Sequence, residues 1–328
     1  MMTSHRNKAI IVLGMHRSGT SALAGVLNLL GVHPGGSLIP ALEDNNPKGF
    51  WEHAEIVPIH DNLLATLGSY WADESPLPSQ WWHSSDVADF RSQIVSILRR
   101  DFRDQAIWLI KDPRMCRLLP MWHEVFRELA CQPLFILAMR NPVEVTHSLV
   151  KRNNLNEIES CLLWLIYMLE AESQTRDQVR IIVNYERLLA DWRGTVADIA
   201  DTFSLTWPLS SEDAALGIDT FLDPSLRHHG ANTGLSAHLA CRLAQEVFQI
   251  LSAPVPDPTK LDQLHTQARE LCNLIAPLSK QLRSLRSTVA RLEAEKAAHY
   301  EEIVRIKNTV SWNITKPVRY FWNTFLKP

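Results

Sequence analysis

The sequence predicts an α/β fold, in which helices flank a parallel sheet, followed by a C-terminal helical or coiled-coil extension. Short apolar runs at residues 9–13, 107–110, 134–139 and 179–183 indicate buried strands. Stretches with helical apolar spacing separate these runs, and such alternation is typical of a parallel sheet covered on both faces. A different pattern begins at residue 278, where apolar residues recur every three or four positions.

Composition excludes several classes of protein. The 328 residues are 46% hydrophobic, enough for a sizeable core, and a formal net charge of −3 offers no field that would attract nucleic acid. Five scattered cysteines without a C-x-x-C pair argue against a zinc knuckle or a disulfide framework and fit a reducing compartment. No apolar run reaches the ~18 residues of a membrane span, and the N-terminus lacks a signal-peptide core. We therefore expect a cytoplasmic protein with no nucleic-acid partner.

The first strand leads into the turn "GMHRSGTS", residues 14–21, and then into a helix predicted for residues 20–30. A glycine-bounded turn before a helix is a P-loop-like anion site, because backbone amides and the helix dipole point at the ligand. Thr20 replaces the lysine of the triphosphatase pattern G-x-x-x-x-G-K-[ST], which would reach the terminal phosphates. The cation of this turn is Arg17, which suits an oxyanion at the 5′-end of a nucleotide without a metal. An ordinary turn is the alternative.

Two later strands also end in charged turns, "KDPR" at residues 111–114 and "RNP" at residues 140–142. Ligands of open parallel sheets bind at the carboxyl ends of the strands, so we expect the three turns to converge on one crevice. Pro142 suits the first position of a helix. Arg140, together with Ser148 eight residues later, would form a second phosphate clamp. The alternative for Arg140 is a surface ion pair.

The motifs "HRSGTS" and "RNPVEVTHS" together resemble those of the sulfotransferases that use 3′-phosphoadenosine 5′-phosphosulfate (PAPS), in order and in spacing. The resemblance covers roughly residues 8–230. It implies PAPS as co-substrate, released as 3′-phosphoadenosine 5′-phosphate (PAP). Arg227, in "FLDPSLRHHG", stands near the place of an R-K-G-x-x-G signature that this sequence lacks. The nucleotide-binding candidates are Arg17, Ser18, Gly19, Thr20, Ser21, Arg140, Ser148, Tyr185 of the "NYERL" turn, and Arg227.

The "KDPR" turn departs from the K-T-H-L-P of the cytosolic small-molecule members and lacks their catalytic histidine. It is similar to the K-D-P turn of protein-tyrosine sulfotransferases, whose lysine stabilises the transition state, so the resemblance gives that role to Lys111. Those enzymes use a glutamate base in E-x-x-x-I-I-P, and "EHAEIVP" places Glu52 there. The implied catalytic residues are therefore Glu52, Lys111 and Arg17, with Asp112 as second choice for the base. A solvated surface charge is the alternative for Glu52, and a structural role for Lys111.

Four tryptophans hint at the acceptor, because aromatic faces suit sugar or phenol rings, although tryptophans also fill cores. They lie between the loop and the "KDPR" turn and are Trp51, Trp71, Trp81 and Trp82. The tail "SWNITKPVR" resembles the ends of many bacterial polysaccharide-assembly glycosyltransferases. That likeness implies a bacterial polysaccharide context and a glycan or glycolipid acceptor.

The histidines are expected to play supporting roles. His16 and His53 flank the proposed site as hydrogen-bonding neighbours rather than bases. The pair His228-His229 has no further ligand at a spacing suitable for a metal, so we expect no metal site.

The predicted divisions of the chain are a catalytic domain at 1–230, a helical segment at 231–276, a coiled-coil helix at 277–310 and an aromatic, basic tail at 311–328. The heptad positions run from Leu278 to Val310, and Lys296 and His299 interrupt them. A coiled coil, through which copies of the chain could associate, and a helix packed on the domain both stay open. The tail suits a membrane interface, which would place the protein at the inner face of the membrane, or a partner groove, or the domain's own surface.

Two other functions stay open. A P-loop nucleotide kinase or NTPase is disfavoured by the missing loop lysine and by the lack of an acidic, magnesium-binding strand end. A non-catalytic scaffold built on a nucleotide-binding fold is disfavoured because Arg17, Arg140, Ser148 and Lys111 occur together.

Overall fold

The structure is a computed structural model and describes residues 7–42, 46, 48–222 and 235–325. Within these ranges four parallel strands form one sheet in the order β2-β1-β3-β4. The strands are β1 Lys8–Leu13, β2 Ile107–Lys111, β3 Gln132–Met139 and β4 Arg180–Asn184. The predicted α/β fold is thereby confirmed. Strand β1 lies between β2 and β3, and every residue after its first is buried, which explains its uninterrupted apolar run.

Helices flank this sheet, and others lie in the C-terminal part of the chain. Within the described ranges the helices are α1 Thr20–Leu29, α2 Ile56–Thr66, α3 Ser85–Phe102, α4 Met115–Glu128, α5 Pro142–Asn153, α6 Glu157–Thr175, α7 Tyr185–Ala190, α8 Trp192–Phe203, α9 Ser211–Phe221, α10 Leu239–Leu251, α11 Pro258–Lys307, α12 Val310–Ile314 and α13 Lys316–Phe325. Helix α5 begins at Pro142, as predicted from the "RNP" turn. Helical apolar spacing predicts helices at residues 87–100, 118–129, 143–150 and 157–173, and these correspond to α3, α4, α5 and α6. The same spacing did not predict helices α2, α7, α8 and α9.

The register of the sheet brings the ends of its strands together. Val12 of β1 is opposite Lys111 of β2, and Leu13 is opposite Leu137 of β3. The segments that follow β1, β2 and β3 therefore leave from the same edge of the sheet, as expected for parallel strands.

Helix α6 is the central helix on one side of the sheet, with α4, α5 and α10 packed against it. It is buried on all sides from Cys161 to Leu169, which is typical of a helix that is apolar all round. Its first turn has a capping box, in which Asn156 accepts from the Glu159 amide and Glu159 accepts from the Asn156 amide. The Sγ atom of Cys161 lies 2.7 Å from that of Cys241 in α10, a proximity that their sequence spacing does not reveal.

The chain divides into two compact units, Met1–Leu274 and Ile275–Pro328. The first contains the sheet, α10 and the beginning of α11, so residues 239–274 belong to the same unit as the strands. The second contains the rest of α11, with Pro277 inside the helix, and the two short helices that follow. In α13 the side chains of Val318, Phe321 and Trp322 share one face and are exposed. No helix in the described part of the chain is long and apolar enough to cross a membrane.

Candidate active site

Two glycines shape the turn after β1. Gly14 has φ 145°, and a Cβ there would overlap the carbonyl oxygen of Ala138 in β3. Its amide donates to Cys116 Sγ at 3.1 Å, which fixes the turn to the start of α4. Gly19, the N-cap of α1, has φ 83°, and a Cβ there would overlap the Tyr185 ring. Only glycine suits both positions without strain, because both are left-handed and crowded.

The turn leaves hydrogen-bond donors for a ligand. Gly19 supplies no side-chain cap, so the first amides of α1 have no partner in the helix. Ser18 Oγ is buried and has no hydrogen-bond partner among the described residues. Thr20 is also buried. Ser21 differs, because its Oγ donates to the Phe50 carbonyl at 3.1 Å and accepts from Asn46 Nδ2 at 3.2 Å. Ser21 therefore ties the turn to a neighbouring loop.

Arg17, in the turn after β1, contacts two residues that follow β3, namely Arg140 at the strand end and Ser148 in α5. Arg17 has a left-handed backbone, with φ 73°, and its Nε donates to Ser148 Oγ at 3.0 Å. Arg140 Nη1 donates to the Arg17 carbonyl at 3.2 Å. The guanidinium of Arg140 lies over the Tyr185 ring, 4.9 Å from its centroid, and forms an ion pair with Glu144 at 2.7 Å. The structure thus brings together four of the predicted nucleotide-binding residues and adds Glu144, which the sequence analysis missed.

Positive charge accumulates at this point. Burial, together with repulsion from Arg152 and Arg140, lowers the pKa of Arg17 to about 10. Arg17 remains cationic at neutral pH, but its charge is poorly compensated, which favours binding of an anion. Arg140 is only 7% exposed and its partner Glu144 is buried, so its ion pair is not a surface pair.

A buried ion pair joins the end of β2 to the segment before α2. Lys111 Nζ donates to Glu52 Oε1 at 2.7 Å, and the two side chains are 2% and 9% exposed. Glu52 is held in place by its carbonyl, which accepts from the Ile39 amide at 2.8 Å. Burial raises the pKa of Glu52 above its usual range, against the opposing effect of Lys111. Glu52 is therefore a buried carboxyl and not a solvated surface charge.

Asp112 has both of its oxygens occupied. Oδ2 accepts from His60 Nδ1 at 2.8 Å, and Oδ1 accepts from the Arg114 amide at 2.9 Å and from Arg114 Nη1 at 3.0 Å. Trp122 Nε1 donates to His60 Nε2 at 3.0 Å, which assigns the ring proton to Nδ1. Burial alone would raise the pKa of Asp112, but Arg114 and His60 hold it below its usual range. Asp112 is thus bound as a positioning group for the turn after β2.

His16 is half-buried beside the charged groups, with its Nε2 atom shielded from solvent. Its ring lies 4.7 Å from that of Trp71 and 6.0 Å from that of Tyr167. Burial, with repulsion from Arg114, lowers the pKa of His16 to about 3, so the ring is neutral at pH 7. Its Nε2 has no hydrogen-bond partner in the described part of the chain.

His53 belongs to a different cluster. Its Nε2 lies 2.8 Å from Asp101 Oδ2, and with Glu55 these residues place three potential metal ligands within 4.8 Å of one another. Arg100 already pairs with Glu55 and with Asp101, each at 2.6 Å, and so supplies positive charge to both carboxylates. The hydrogen bonds of this cluster are explained without a metal.

The four tryptophans have different surroundings. Trp81 is buried in the core with Trp82 against it, and Trp51 packs on Phe221. Trp71, beside His16, is the tryptophan of this set that lies against a site side chain. The candidates Arg227 and His228-His229 lie outside the described residues.

Three residues of the site were not predicted from the sequence. Glu144 could have been found, because it stands four residues after Arg140, a spacing at which helical charges pair. Arg114 lies inside the "KDPR" motif but was given no role. His60 carried no signal, because its hydrogen bond to Asp112 spans 52 residues of sequence.

The chain matches the model of a protein family and is similar to solved sulfotransferase domains. No curated protein is significantly similar to the chain. The sulfotransferase domain of the Synechococcus PCC 7002 olefin synthase is 17% identical, with a TM-score of 0.41, over 80% of this chain and 94% of that domain. The sulfotransferase domain from the curacin biosynthetic pathway is 14% identical, with a TM-score of 0.36, over 79% and 96% respectively. The model of the sulfotransferase family matches residues 9–208, more than half of the sequence, and the chain therefore belongs to that family.

Proposed function

We propose that this sulfotransferase family member transfers the sulfuryl group of PAPS to a hydroxyl group of a glycan or glycolipid. The observation that carries the proposal is the contact set at the strand ends. Arg17 donates a hydrogen bond to Ser148 at 3.0 Å, and its carbonyl accepts one from Arg140 at 3.2 Å. The buried Lys111–Glu52 ion pair lies at the end of the adjacent strand, β2. Burial and the charge of Arg114 lower the pKa of His16 most, and Lys111 and Arg17 add smaller repulsions, so charges from both strand ends lie near this ring.

The residues fit a donor with two anionic ends, which PAPS has in its 3′-phosphate and its 5′-phosphosulfate. Ser18 Oγ, buried without a partner among the described residues, would donate to one anionic end together with the first amides of α1. Arg140 and Ser148 would bind the 3′-phosphate. Binding of the 3′-phosphate by these two residues would distinguish PAPS from ATP, which has no 3′-phosphate.

The chemistry assigned to the chain's own residues is charge stabilisation and proton transfer. PAPS supplies the sulfuryl group, and by analogy with phosphoryl transfer the protein acts mainly by positioning and electrostatics. Lys111 and Arg17 stabilise the negative charge that develops on the bridging oxygen of the leaving nucleotide. Glu52 accepts the proton of the acceptor hydroxyl through Oε2, for which the described residues offer no hydrogen bond. Asp112, saturated by His60 and Arg114, is the weaker choice for the base.

Two features support the acceptor class. Trp71 presents an aromatic ring beside the site, as sugar-binding sites often do, and the C-terminal tail resembles those of polysaccharide-assembly enzymes. Transfer of labelled sulfate from PAPS to a panel of glycans, glycolipids and simple phenols tests this part. Labelling of phenols alone would refute it.

The donor is tested by calorimetric titration of the protein with PAP and with ADP, without magnesium. We expect PAP to bind more tightly, and Arg140→Ala to weaken PAP binding ~10- to 100-fold, since hydrogen bonds to charged groups contribute about 1.5–3 kcal/mol. ADP binding should change little. Arg99→Ala is the matched control, because Arg99 is an exposed arginine whose pair with Glu128 lies on the surface.

A preference for ADP with magnesium would instead support a nucleotide kinase or NTPase. Equal losses in Arg140→Ala and Arg99→Ala would show that Arg140 does not contact the 3′-phosphate.

A further inference from the structure

An exposed apolar seam runs along α11. It consists of nine heptad positions between residues 278 and 306, all of them exposed. The a positions are Leu282, Val289, Lys296 and Ile303, and the d positions are Leu278, Leu285, Leu292, His299 and Ile306. The seven apolar members of the seam are 41–67% exposed. The seam ends there because α11 ends at Lys307 and the extended backbone of Thr309 interrupts the helical register before Val310.

This exposure calls for a partner. An isolated helix is marginal in water unless an apolar face is buried, and most helical stability in proteins comes from such packing. The seam repeats every seven residues, which is the period of a left-handed coiled coil and differs from that of a helix lying on a globular surface. A second copy of this chain offers the same period and therefore a complementary seam.

The residues of the seam favour two strands. Two of the four a positions hold β-branched residues, Val289 and Ile303, and three of the five d positions hold leucine. This division, β-branched at a and leucine at d, is characteristic of two-stranded parallel coiled coils. Lys296 is the charged residue among the a positions, and a single lysine at a fixes the register and the number of strands.

The flanking charges favour a parallel arrangement. In a parallel pair, Glu302 at position g faces Lys307 at position e of the other copy, and Glu295 flanks Lys296 of the other copy. In an antiparallel pair that uses the same seam, Glu293 and Glu295 lie near the centre and each faces its own counterpart. Those like charges would repel each other.

We propose that the chain is a homodimer held by a parallel, in-register, two-stranded coiled coil of residues 278–306. The proposal does not depend on the donor or the acceptor of the reaction. The partner that covers the seam is a second copy of this chain, because the seam is complementary to itself in period, in residue type and in flanking charge.

The first test is the mass of the full chain in solution, measured by light scattering after gel filtration at tens of micromolar. The expected mass is twice the 37.3 kDa of one chain. The double variant Leu285→Glu and Leu292→Glu puts two charges into the seam and should give the mass of one chain. The matched control, Ser287→Glu and Ala294→Glu, adds the same charges at f positions, also exposed, and should stay dimeric.

Thermal unfolding separates lost association from lost folding, because the first unit should melt at the same temperature in all three proteins. A native mass of one chain would overturn the proposal, and so would a dimer that survives both seam glutamates.

The second test is the direction of the strands. In Leu285→Cys, the two new thiols of a parallel pair lie side by side. The thiol oxidant diamide would take up the two thiol hydrogens and be reduced to its hydrazine, and the two sulfur atoms would form one disulfide. The product is seen as a covalent dimer on a non-reducing gel. The native chain, oxidised in parallel, controls for its own five cysteines. A dimer that does not cross-link at residue 285 would overturn the parallel arrangement.

Discussion

At the scale of single residues, two opposing effects act on Glu52. Burial of its carboxyl raises the pKa, and the ammonium group of Lys111 at 2.7 Å lowers it, with a net increase. Removing one member of a buried pair leaves an uncompensated charge, which costs about 3–5 kcal/mol. A test of the role of Glu52 therefore needs a variant that keeps an oxygen for Lys111.

We predict that Glu52→Gln lowers kcat by ~10²- to 10⁴-fold, the typical contribution of a general base, and leaves PAP affinity almost unchanged. The sign of the pH dependence follows from the raised pKa. A base must be ionised, so the activity of the native enzyme is lost as pH falls through the pKa of Glu52. This loss occurs at a higher pH than an ordinary glutamate would give. A pH–rate profile of kcat/KM measures it, and the acidic limb should disappear in the variant.

Glu55→Gln is the control for this prediction, because Glu55 lies three residues later, is exposed and pairs with Arg100. An acidic limb that persists in Glu52→Gln would assign the base to another group.

At the scale of elements, the junction of β1 and α1 combines two constraints at Gly19. Its φ of 83° is unfavourable for other residues, and the Tyr185 ring fills the space where a side chain would begin. Gly68, after α2, has a similar φ of 73°, but a Cβ there would meet nothing within 4 Å. Substitutions at Gly19 and Gly68 therefore separate the effect of the left-handed backbone on stability from the effect of side-chain packing.

We predict that Gly68→Ala lowers the free energy of unfolding by about 1–2 kcal/mol, from the left-handed backbone alone. Gly19→Ala should lower it by a further ~1–3 kcal/mol, because its methyl group displaces the Tyr185 ring. Gly19→Ala should also weaken PAP binding, whereas Gly68→Ala should not. Urea denaturation and calorimetry measure the two effects. Equal destabilisation by both substitutions would mean that the Tyr185 ring moves aside freely.

At the scale of the whole molecule, helix α11 contributes to both compact units. Its first turns bury side chains in the unit that contains the sheet, and these are Leu261, Leu264, Ala268 and Cys272. Its later turns expose the seam. A chain shortened within this helix should therefore behave differently on the two sides of the division.

We predict that a chain ending at residue 276 keeps the unfolding temperature of the first unit and its affinity for PAP. A chain ending at residue 257 loses the buried side chains of α11. Leu261 and Leu264 alone should account for about 3–6 kcal/mol, at ~1.5–3 kcal/mol for each buried leucine. Calorimetry of the two shortened chains checks this. A chain 1–276 that does not fold would show that the second unit is needed for the stability of the first.

Much of the fold could be predicted because its causes are local. The apolar run of β1, the glycines of the turn and the proline that begins α5 each act within a few residues. Arg140 and Ser148 are eight residues apart on one strand end and its helix, so their proximity also follows from the sequence. Helices α7 to α9 were not predicted, and their apolar residues are buried against the sheet and against each other in one core cluster. Helix α2 was not predicted either, and it packs against α3.

The sequence by itself determined the α/β architecture, the position of the glycine-bounded turn after β1 and the heptad repeat of the seam, since each depends on periodicity or on neighbouring residues. The tertiary structure alone decided the pairing of Lys111 with Glu52, which are 59 residues apart, and of Asp112 with His60. It also decided that both oxygens of Asp112 accept hydrogen bonds, whereas Glu52 accepts the bond of Lys111 through Oε1. Contacts of this kind depend on how distant elements pack, and packing is set by the shape of the whole core rather than by any local pattern.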